Sequence, residues 1–201
     1  MEKKIDIEEN KRLIESYLLA TKRTGMENLL KHMEENGFYT APCSGQYHLC
    51  VAGGLAEHSI NVMNYCFKVA SSVFKDFSSE SLTIVSLLHD LGKMGQYGKP
   101  NYIPNMIKDG KPTKDEPEQK YKISDSKPYE TNKELLYVDH EIRSIQIASQ
   151  FIALTEEESF AILYHNGLYT PLGRSINGKE TPLQMILHFS DLWVSRVTEL
   201  Q

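Results

Sequence analysis

The sequence has few of the features that mark membrane, secreted or DNA-binding proteins. It lacks an apolar run long enough to cross a bilayer, and its first residues lack the apolar stretch of a signal peptide. Its 201 residues carry 22 basic and 27 acidic side chains, which give a net charge of −5. It therefore lacks the wide basic face that long duplex DNA requires. These absences predict a cytoplasmic protein with no membrane partner and no long-DNA partner.

Cysteine is also scarce. The chain has only Cys43, Cys50 and Cys66, an odd number without the paired spacing of a metal knuckle. The simplest interpretation is three free thiols in a reducing compartment. A structural zinc site built from Cys43, Cys50 and His48 is the alternative, although its spacing fits no known pattern.

The chain is long enough for a single domain with a substantial core, which we predict to span residues 1–201. Apolar residues recur at helical spacing through most of it. Predicted helices cover 7–22, 26–35, 54 to beyond 69, a segment around 84–91, 139–151, 155–163, and from 182 onward. Ser79 or Ser81, the Thr155/Glu158 capping box and Thr181-Pro182 are predicted helix starts.

Residues 95–136 interrupt this helical pattern. Five of the eight prolines lie in this segment, together with four of the eleven tyrosines. Asp109-Gly110 predicts a hairpin turn between strands at Tyr102–Lys108 and Lys111–Lys114. A long insertion of this kind is usually functional or disordered. It is predicted to be a lid or wall over the site, with a surface excursion or an oligomer contact as the alternative.

The strongest local chemical signal is the pair His89-Asp90. Both side chains are predicted to leave adjacent positions near the end of one helix, so both can reach a single cation. Leu87, Leu88 and Leu91 surround the pair, which indicates that it is buried. Because a buried charge without a partner is very costly, Asp90 requires compensation, and a metal ion supplies it.

Four further candidate ligands lie on other predicted helices: His58, His140, His165 and Asp191. Taken singly, each is more often a core histidine, a cap or a solvated carboxylate than a ligand. The ordered set of His, His-Asp, His, His and Asp on separate helices is what predicts a metal site.

Three short segments carry a family resemblance: Gly-Gly-Leu-Ala-Glu-His-Ser from residue 53, Ser-Leu-Leu-His-Asp-Leu-Gly-Lys from residue 86, and Ile-Leu-His-Phe-Ser-Asp from residue 186. In order and wording they resemble the HD-domain phosphohydrolases. The first is similar to the HD domain of 3′-to-5′ exoribonucleases, and the layout of the insertion is similar to that of small phage and prophage HD hydrolases. The resemblance covers residues 46–196.

The resemblance implies an all-α HD-domain helical bundle with a small β-hairpin insertion. It implies one metal held by His58, His89, Asp90 and Asp191, and a second metal that Asp90 shares with His140 and His165. The expected cofactor is a divalent transition metal (Mn, Fe, Co, Ni or Zn, with Mg as a further option), bound as two ions. Asn166 stands where many two-metal relatives have a histidine, so the second site is expected to be looser.

The resemblance also implies chemistry. Paired ions activate water and bind phosphate oxygens, so Asp90 is a catalytic candidate as well as a ligand. Lys93, one turn beyond Asp90, is the candidate for stabilising charge on the phosphate. Its alternative role is that of a cation near a helix C-terminus. Glu57, His48 and His188 are weaker candidates near the site.

The predicted activity is metal-dependent hydrolysis of a phosphomonoester or phosphodiester, with a nucleotide or short oligonucleotide as the substrate. Three alternatives stay open at this point. They are a single-metal nucleotide phosphatase in which His140 and His165 bind substrate, a catalytically silent nucleotide-binding sensor, and a helical interaction module without metal. The sequence leaves the exact substrate, the metal and the oligomeric state open.

Overall fold

Helices provide most of the regular structure in a computed structural model of the chain, which describes residues 5–73, 77–112 and 117–200. Within these residues the α-helices are α1 (Ile7–Ala20), α2 (Met26–Glu35), α3 (Gly54–Val73), α4 (Ser79–Leu88), α5 (His140–Ala148), α6 (Glu156–Leu163), α7 (Pro171–Arg174) and α8 (Pro182–Trp193). Shorter helical turns are the 3₁₀ turns Leu91–Lys93 and Gly167–Tyr169 and the π-helical turn Val194–Thr198. The fold is therefore predominantly helical, as predicted.

Local side-chain caps define where several helices begin. At α6 the Thr155 hydroxyl accepts a bond of 3.1 Å from the Glu158 amide, and the Glu158 carboxylate accepts one of 2.9 Å from the Thr155 amide. Thr181 caps α8, whose first residue is Pro182. These two starts are as predicted. The cap of α4 is Ser78 instead of Ser79 or Ser81, because the Ser78 hydroxyl reaches the third amide of that helix.

Helix α3 lies at the centre of the bundle and packs against α1, α4 and α8. One side of α3 contributes Leu55 and Met63 to a core shared with α1, α2 and α4. Val62 and Cys66 on its other side belong to a second core with α6 and α8. Of the predicted ligands, His58, His89, Asp90 and His165 are buried, whereas His140 stays partly exposed.

The insertion forms two short antiparallel strand pairs, one beyond the other, instead of one continuous hairpin. Strand β1 (Tyr102–Pro104) pairs with β4 (Tyr129–Thr131), and β2 (Met106–Asp109) pairs with β3 (Lys120–Ile123). The predicted return strand at 111–114 is wrong, because the partner of β2 is β3, which begins at Lys120. Residues 113–114 lie outside the described part of the chain. A longer connection replaces the two-residue turn that Asp109-Gly110 predicts.

The two ladders differ in their environment. The base of the hairpin, β1 and β4, is half buried, and the Tyr129 amide donates to the Gly45 carbonyl over 3.3 Å. All residues of β2 and β3 are exposed. The base is thus fixed to the loop before α3, and the outer arm extends into solvent. None of the helices in the described residues is both long and apolar enough to cross a membrane.

Candidate metal centre

Five separate segments bring the six predicted ligands together. His58 lies in the first turns of α3, and His140 is the first residue of α5. His89 and Asp90 lie just beyond the end of α4, because the helix ends at Leu88 and not at Leu91 as predicted, and they lead into the Leu91–Lys93 turn. His165 follows the end of α6. Asp191 lies near the end of α8.

The Asp90 carboxylate lies at the centre of the cluster. Its Oδ1 is 3.2 Å from His140 Nε2 and 3.7 Å from His165 Nε2. Its Oδ2 is 3.5 Å from His89 Nε2 and 3.6 Å from His58 Nε2. Each carboxylate oxygen therefore faces a different pair of histidines, which is the arrangement of a carboxylate that bridges two ligand groups.

Asp191 completes the side of the cluster formed by His58. Its Oδ1 is 3.2 Å from His58 Nε2. Two overlapping groups have ligand atoms within 4.8 Å of one another: one contains His58, His89 and Asp191, and the other contains His89, Asp90 and His165. Either group can hold a metal ion.

Several of these atoms are buried without a hydrogen-bond partner. In the described part of the chain this applies to His58 Nε2, His89 Nε2 and Asp90 Oδ1. Unsatisfied polar atoms in a protein interior are costly, so their convergence requires an explanation. Ligands held about 2.0–2.2 Å from a common ion lie roughly 3–3.5 Å from each other. The observed spacings are of this size, so these residues fit a divalent cation.

Hydrogen bonds hold His58, His89 and His165 by the opposite ring nitrogen, and that of His140 lies at ion-pair distance from Glu141. The Nδ1 atoms lie 2.9 Å from Glu199 Oε2 for His58, 2.8 Å from the Ser86 carbonyl for His89, 2.7 Å from the Ile162 carbonyl for His165, and 3.3 Å from Glu141 Oε2 for His140. An imidazole whose Nδ1 donates to an acceptor presents Nε2 as the ligand atom. Four such rings with their Nε2 atoms facing one carboxylate are typical of a metal centre.

The charges in the cluster favour a bound cation. Burial opposes ionisation of Asp90, but Lys93, His89 and His140 outweigh it and hold its pKa well below the usual range. Burial likewise opposes protonation of His58, but the carboxylates of Asp191 and Glu199 raise its pKa to about 10. The cluster therefore attracts a positive charge to His58 even without a metal.

His165 and His89 behave in the opposite way. Burial, together with the neighbouring His89 and His140, lowers the pKa of His165 to about 4. Burial is also the main cause of the lowered pKa of His89. Both rings are thus neutral at physiological pH, which is the form that binds metals.

Asn166 lies beside His140 and His165 and presents its amide nitrogen to them. Its Nδ2 donates to Glu141 Oε1 over 2.7 Å and lies 3.1 Å from His165 Nε2 and 3.3 Å from His140 Nε2. Glu141 holds the amide nitrogen, which is a hydrogen-bond donor and not a metal ligand, toward the two histidines. The looser second site stays a prediction. His140 and His165 lie close together, with 3.3 Å between their Nε2 atoms.

Lys93 forms an ion pair within the cluster. Its Nζ lies 2.6 Å from Asp90 Oδ2. Burial opposes its charge, but Asp90 and the other acidic groups nearby together outweigh burial and raise the lysine pKa well above its usual value. Lys93 also lines two cavities, one of about 310 Å³ beside Asp191 and His165, and one of about 110 Å³ beside His140. It thus connects the cluster to both cavities.

Close packing of α5 fixes the turn that carries His89-Asp90. Ser144 Oγ donates to the His89 carbonyl over 2.7 Å and accepts from the Gly92 amide over 2.8 Å. A Cβ on Gly92 would lie 2.3 Å from the His140 carbonyl oxygen. Only glycine allows this approach, which brings His140 to Asp90.

The weaker candidates have supporting roles. Glu57 accepts from Asn10 Nδ2 over 2.9 Å and so ties α3 to α1. His188 Nδ1 lies 2.6 Å from the His165 carbonyl and supports the backbone of that ligand. His32 packs on Phe151.

The cysteines do not form the alternative zinc set. Cys43 lies near His48, with 3.9 Å between Sγ and Nε2, and this pair groups with His58. Cys50 instead lies 3.3 Å from the Ser44 hydroxyl. All three thiols are free. Burial raises the pKa of the Cys43 thiol well above its usual value, which keeps it protonated.

Sequence reasoning missed two acidic residues of the site, Glu141 and Glu199. Both side chains are nearly inaccessible, with 3% and 2% exposure. Glu141 holds His140 and Asn166, and Glu199 holds His58 and His48. The sequence position of Glu141 directly after His140 could have indicated its role. Glu199 lies in Val-Thr-Glu-Leu, which carries no motif.

Comparison with known proteins adds no relative: no family model matches the chain, and no curated protein or solved structure is significantly similar to it. The His/Asp cluster is consistent with an HD-type centre, and the geometry above is what supports that interpretation.

Proposed function

We propose that the protein is a metal-dependent phosphohydrolase of HD type. The observation that carries the proposal is the convergence of three buried atoms without a hydrogen-bond partner: His58 Nε2, His89 Nε2 and Asp90 Oδ1. The two imidazole rings are held in place by hydrogen bonds at Nδ1. Imidazole and carboxylate ligands together favour manganese, iron, cobalt, nickel or zinc over magnesium. When bound in such a site, a divalent ion lowers the pKa of water and neutralises charge on phosphate oxygens.

The residues around the larger cavity fit a phosphorylated ligand. Lys93 and Arg196 supply positive charge along its wall, and His165 and Asp191 form its inner end. Tyr47 lines the same cavity with its side chain 69% exposed, so its ring is available for stacking on a base. We propose a nucleotide or short oligonucleotide as the substrate, with Lys93 contacting a phosphate oxygen.

Reconstitution with single metals tests the proposal. Chelator-treated protein would be loaded with Mn²⁺, Fe²⁺, Co²⁺, Ni²⁺, Zn²⁺ or Mg²⁺ and assayed with nitrophenyl phosphate esters, nucleotides and short oligonucleotides. We expect turnover with at least one transition metal. Asp90→Asn should lose both metal and turnover, because it removes the central charge. His32→Asn, which changes a histidine outside the cluster, is the matched control and should retain both.

Two results would overturn the proposal. One is a wild-type protein that releases no phosphate or nucleoside under any metal. The other is Asp90→Asn protein with the same metal content as wild type.

One observation favours the silent nucleotide-binding sensor as the second candidate. Lys93 pairs with Asp90 and so compensates the central carboxylate without a metal. Lys93 and Arg196 also line the larger cavity, where they can bind a phosphate group directly. A protein that binds nucleotides equally well with and without metal, and turns none over, would support this function instead.

A further inference from the structure

We propose that Glu199 is a positioning residue that orients His58 as a metal ligand. The inference rests on the metal-binding part of the proposed function and does not require hydrolysis. Glu199 follows the π-helical turn Val194–Thr198, and its side chain is 2% exposed. It is therefore a buried carboxylate outside the six ligands.

Glu199 makes three contacts through its two oxygens. Oε2 accepts from His58 Nδ1 over 2.9 Å and from His48 Nδ1 over 2.5 Å. Oε1 accepts from Asn61 Nδ2 over 3.0 Å. The carboxylate is thus fixed by α3 through Asn61 and by the loop before α3 through His48, which leaves it little freedom to turn away from His58.

His58 lies between two carboxylates of different kinds. Asp191 approaches Nε2, the nitrogen that faces the cluster, and Glu199 binds Nδ1 on the opposite edge of the ring. A carboxylate on the outer nitrogen fixes the ring orientation and makes the inner nitrogen a stronger ligand. Two of the four cluster histidines contact a carboxylate through Nδ1: His58 contacts Glu199 at 2.9 Å, and His140 contacts Glu141 at 3.3 Å. The Nδ1 atoms of His89 and His165 contact backbone carbonyls instead.

The π-helical turn explains how one C-terminal segment supplies both carboxylates. In a continuous α-helix, residues eight positions apart diverge by about 80° around the axis. A π turn takes up an extra residue and returns Glu199 toward the side that carries Asp191. The Glu199 amide donates to the Val194 carbonyl over 3.0 Å, the i to i+5 bond of that turn.

Zinc binding to the full-length protein tests the inference, with Zn²⁺ alone as the probe. We expect Glu199→Gln to weaken Zn²⁺ affinity about 10–100-fold, mainly through faster loss of Zn²⁺ to a chelator. His48→Ala keeps the His58–Glu199 bond, and Asn61 still holds the carboxylate, so its loss of affinity should be smaller than that of Glu199→Gln. Glu157→Gln, an exposed carboxylate on α6, is the matched control and should change nothing.

A spectroscopic measurement separates positioning from general stability. In Zn²⁺-loaded wild type with ¹⁵N-labelled histidine, His58 should show zinc at Nε2 and a strongly deshielded Nδ1 proton. Glu199→Gln should move that proton toward its ordinary position, with the circular dichroism spectrum unchanged. If Glu199→Gln fails to fold, the wild-type spectrum decides: zinc at Nδ1 of His58 would overturn the inference.

The remaining outcomes are equally clear. Glu199→Gln with affinity within about threefold of wild type would overturn the inference, and so would an equal loss in His48→Ala, which would assign the effect to the loop. Wild type that binds no Zn²⁺ would overturn the inference, whereas the proposed function fails only if none of the other metals supports turnover. Zn²⁺ binding that depends on Glu199 in a protein without hydrolase activity would leave the inference standing and remove the proposed function.

Discussion

His58 combines full burial with a pKa of about 10. Burial alone would favour the neutral ring, but the carboxylates of Asp191 and Glu199 raise the pKa above the ordinary value of 6.5. In the metal-free protein the ring is therefore a cation at neutral pH. A metal ion at Nε2 must displace the proton that occupies the same position.

We expect metal binding at pH 7 to release about one proton, because His89 and His165 are already neutral and His58 is not. Affinity should consequently rise as the pH increases from 7 toward 10. Isothermal titration in buffers with different ionisation enthalpies measures the released protons. A value of zero at pH 7 would contradict the assignment of His58 as a ligand through Nε2.

Lys93 links the cluster to its cavities, so Lys93→Met should have separate effects on stability and on turnover. Without metal, Asp90 loses an ion-pair partner at 2.6 Å, and a lower melting temperature is expected. With metal bound, Asp90 is compensated and the metal content should be normal. Turnover should fall by about two to three orders of magnitude, as for loss of one charge-stabilising donor.

Melting curves with and without metal, combined with kcat of the loaded enzyme, check this prediction. Normal turnover in Lys93→Met together with early melting would make the lysine a stabiliser of Asp90 alone.

At the level of elements, the sequence predicted what local interactions determine. The Thr155/Glu158 capping box and the Thr181-Pro182 start are confirmed because each depends on residues within three positions. The return strand of the hairpin was placed wrongly, since Asp109-Gly110 describes a turn and carries no information about a distant partner. Glu199 was missed for the same reason: its contact with His58 spans 141 positions.

The hairpin provides a prediction about the insertion. The β1 residue Tyr102 and the β4 residue Thr131 line the smaller cavity, so the base forms a wall. Replacing residues 107–122 by Asn-Gly shortens only the exposed arm. The register pairs Met106 with Ile123, so a two-residue turn fits between them. We expect KM for a nucleotide substrate to change little. The unfolding free energy should change by no more than about 0.5 kcal/mol.

Tyr102→Ala serves as the contrasting variant and should raise KM, because it alters the wall of the cavity. Steady-state kinetics and chemical denaturation of both proteins decide the matter. A large rise in KM in the shortened protein would show that the outer arm closes over the site, which is the lid interpretation of the insertion.

For the whole molecule, the cluster joins α3, α5, α8 and the segments that follow α4 and α6. A metal that binds the folded state but not the unfolded chain stabilises all of these contacts together. At a free metal concentration one hundred times the dissociation constant, the expected gain is about 2.7 kcal/mol. Asp90→Asn should abolish the gain. Thermal unfolding with added metal and with chelator measures it, and identical curves would argue against a metal centre.

The late position of Asp191 and Glu199 in the chain, in α8 and after the π-helical turn, has a consequence for biosynthesis. His58 is near the beginning of α3, whereas Asp191 and Glu199 lie more than a hundred residues later in the chain. A ribosome has therefore made most of the described chain before the two carboxylates that flank His58 exist. Closing so long a loop is slow compared with forming the helices themselves. An ion bound on the His58 side of the cluster would require α8 to have packed on α3, so we expect metal loading at the end of maturation.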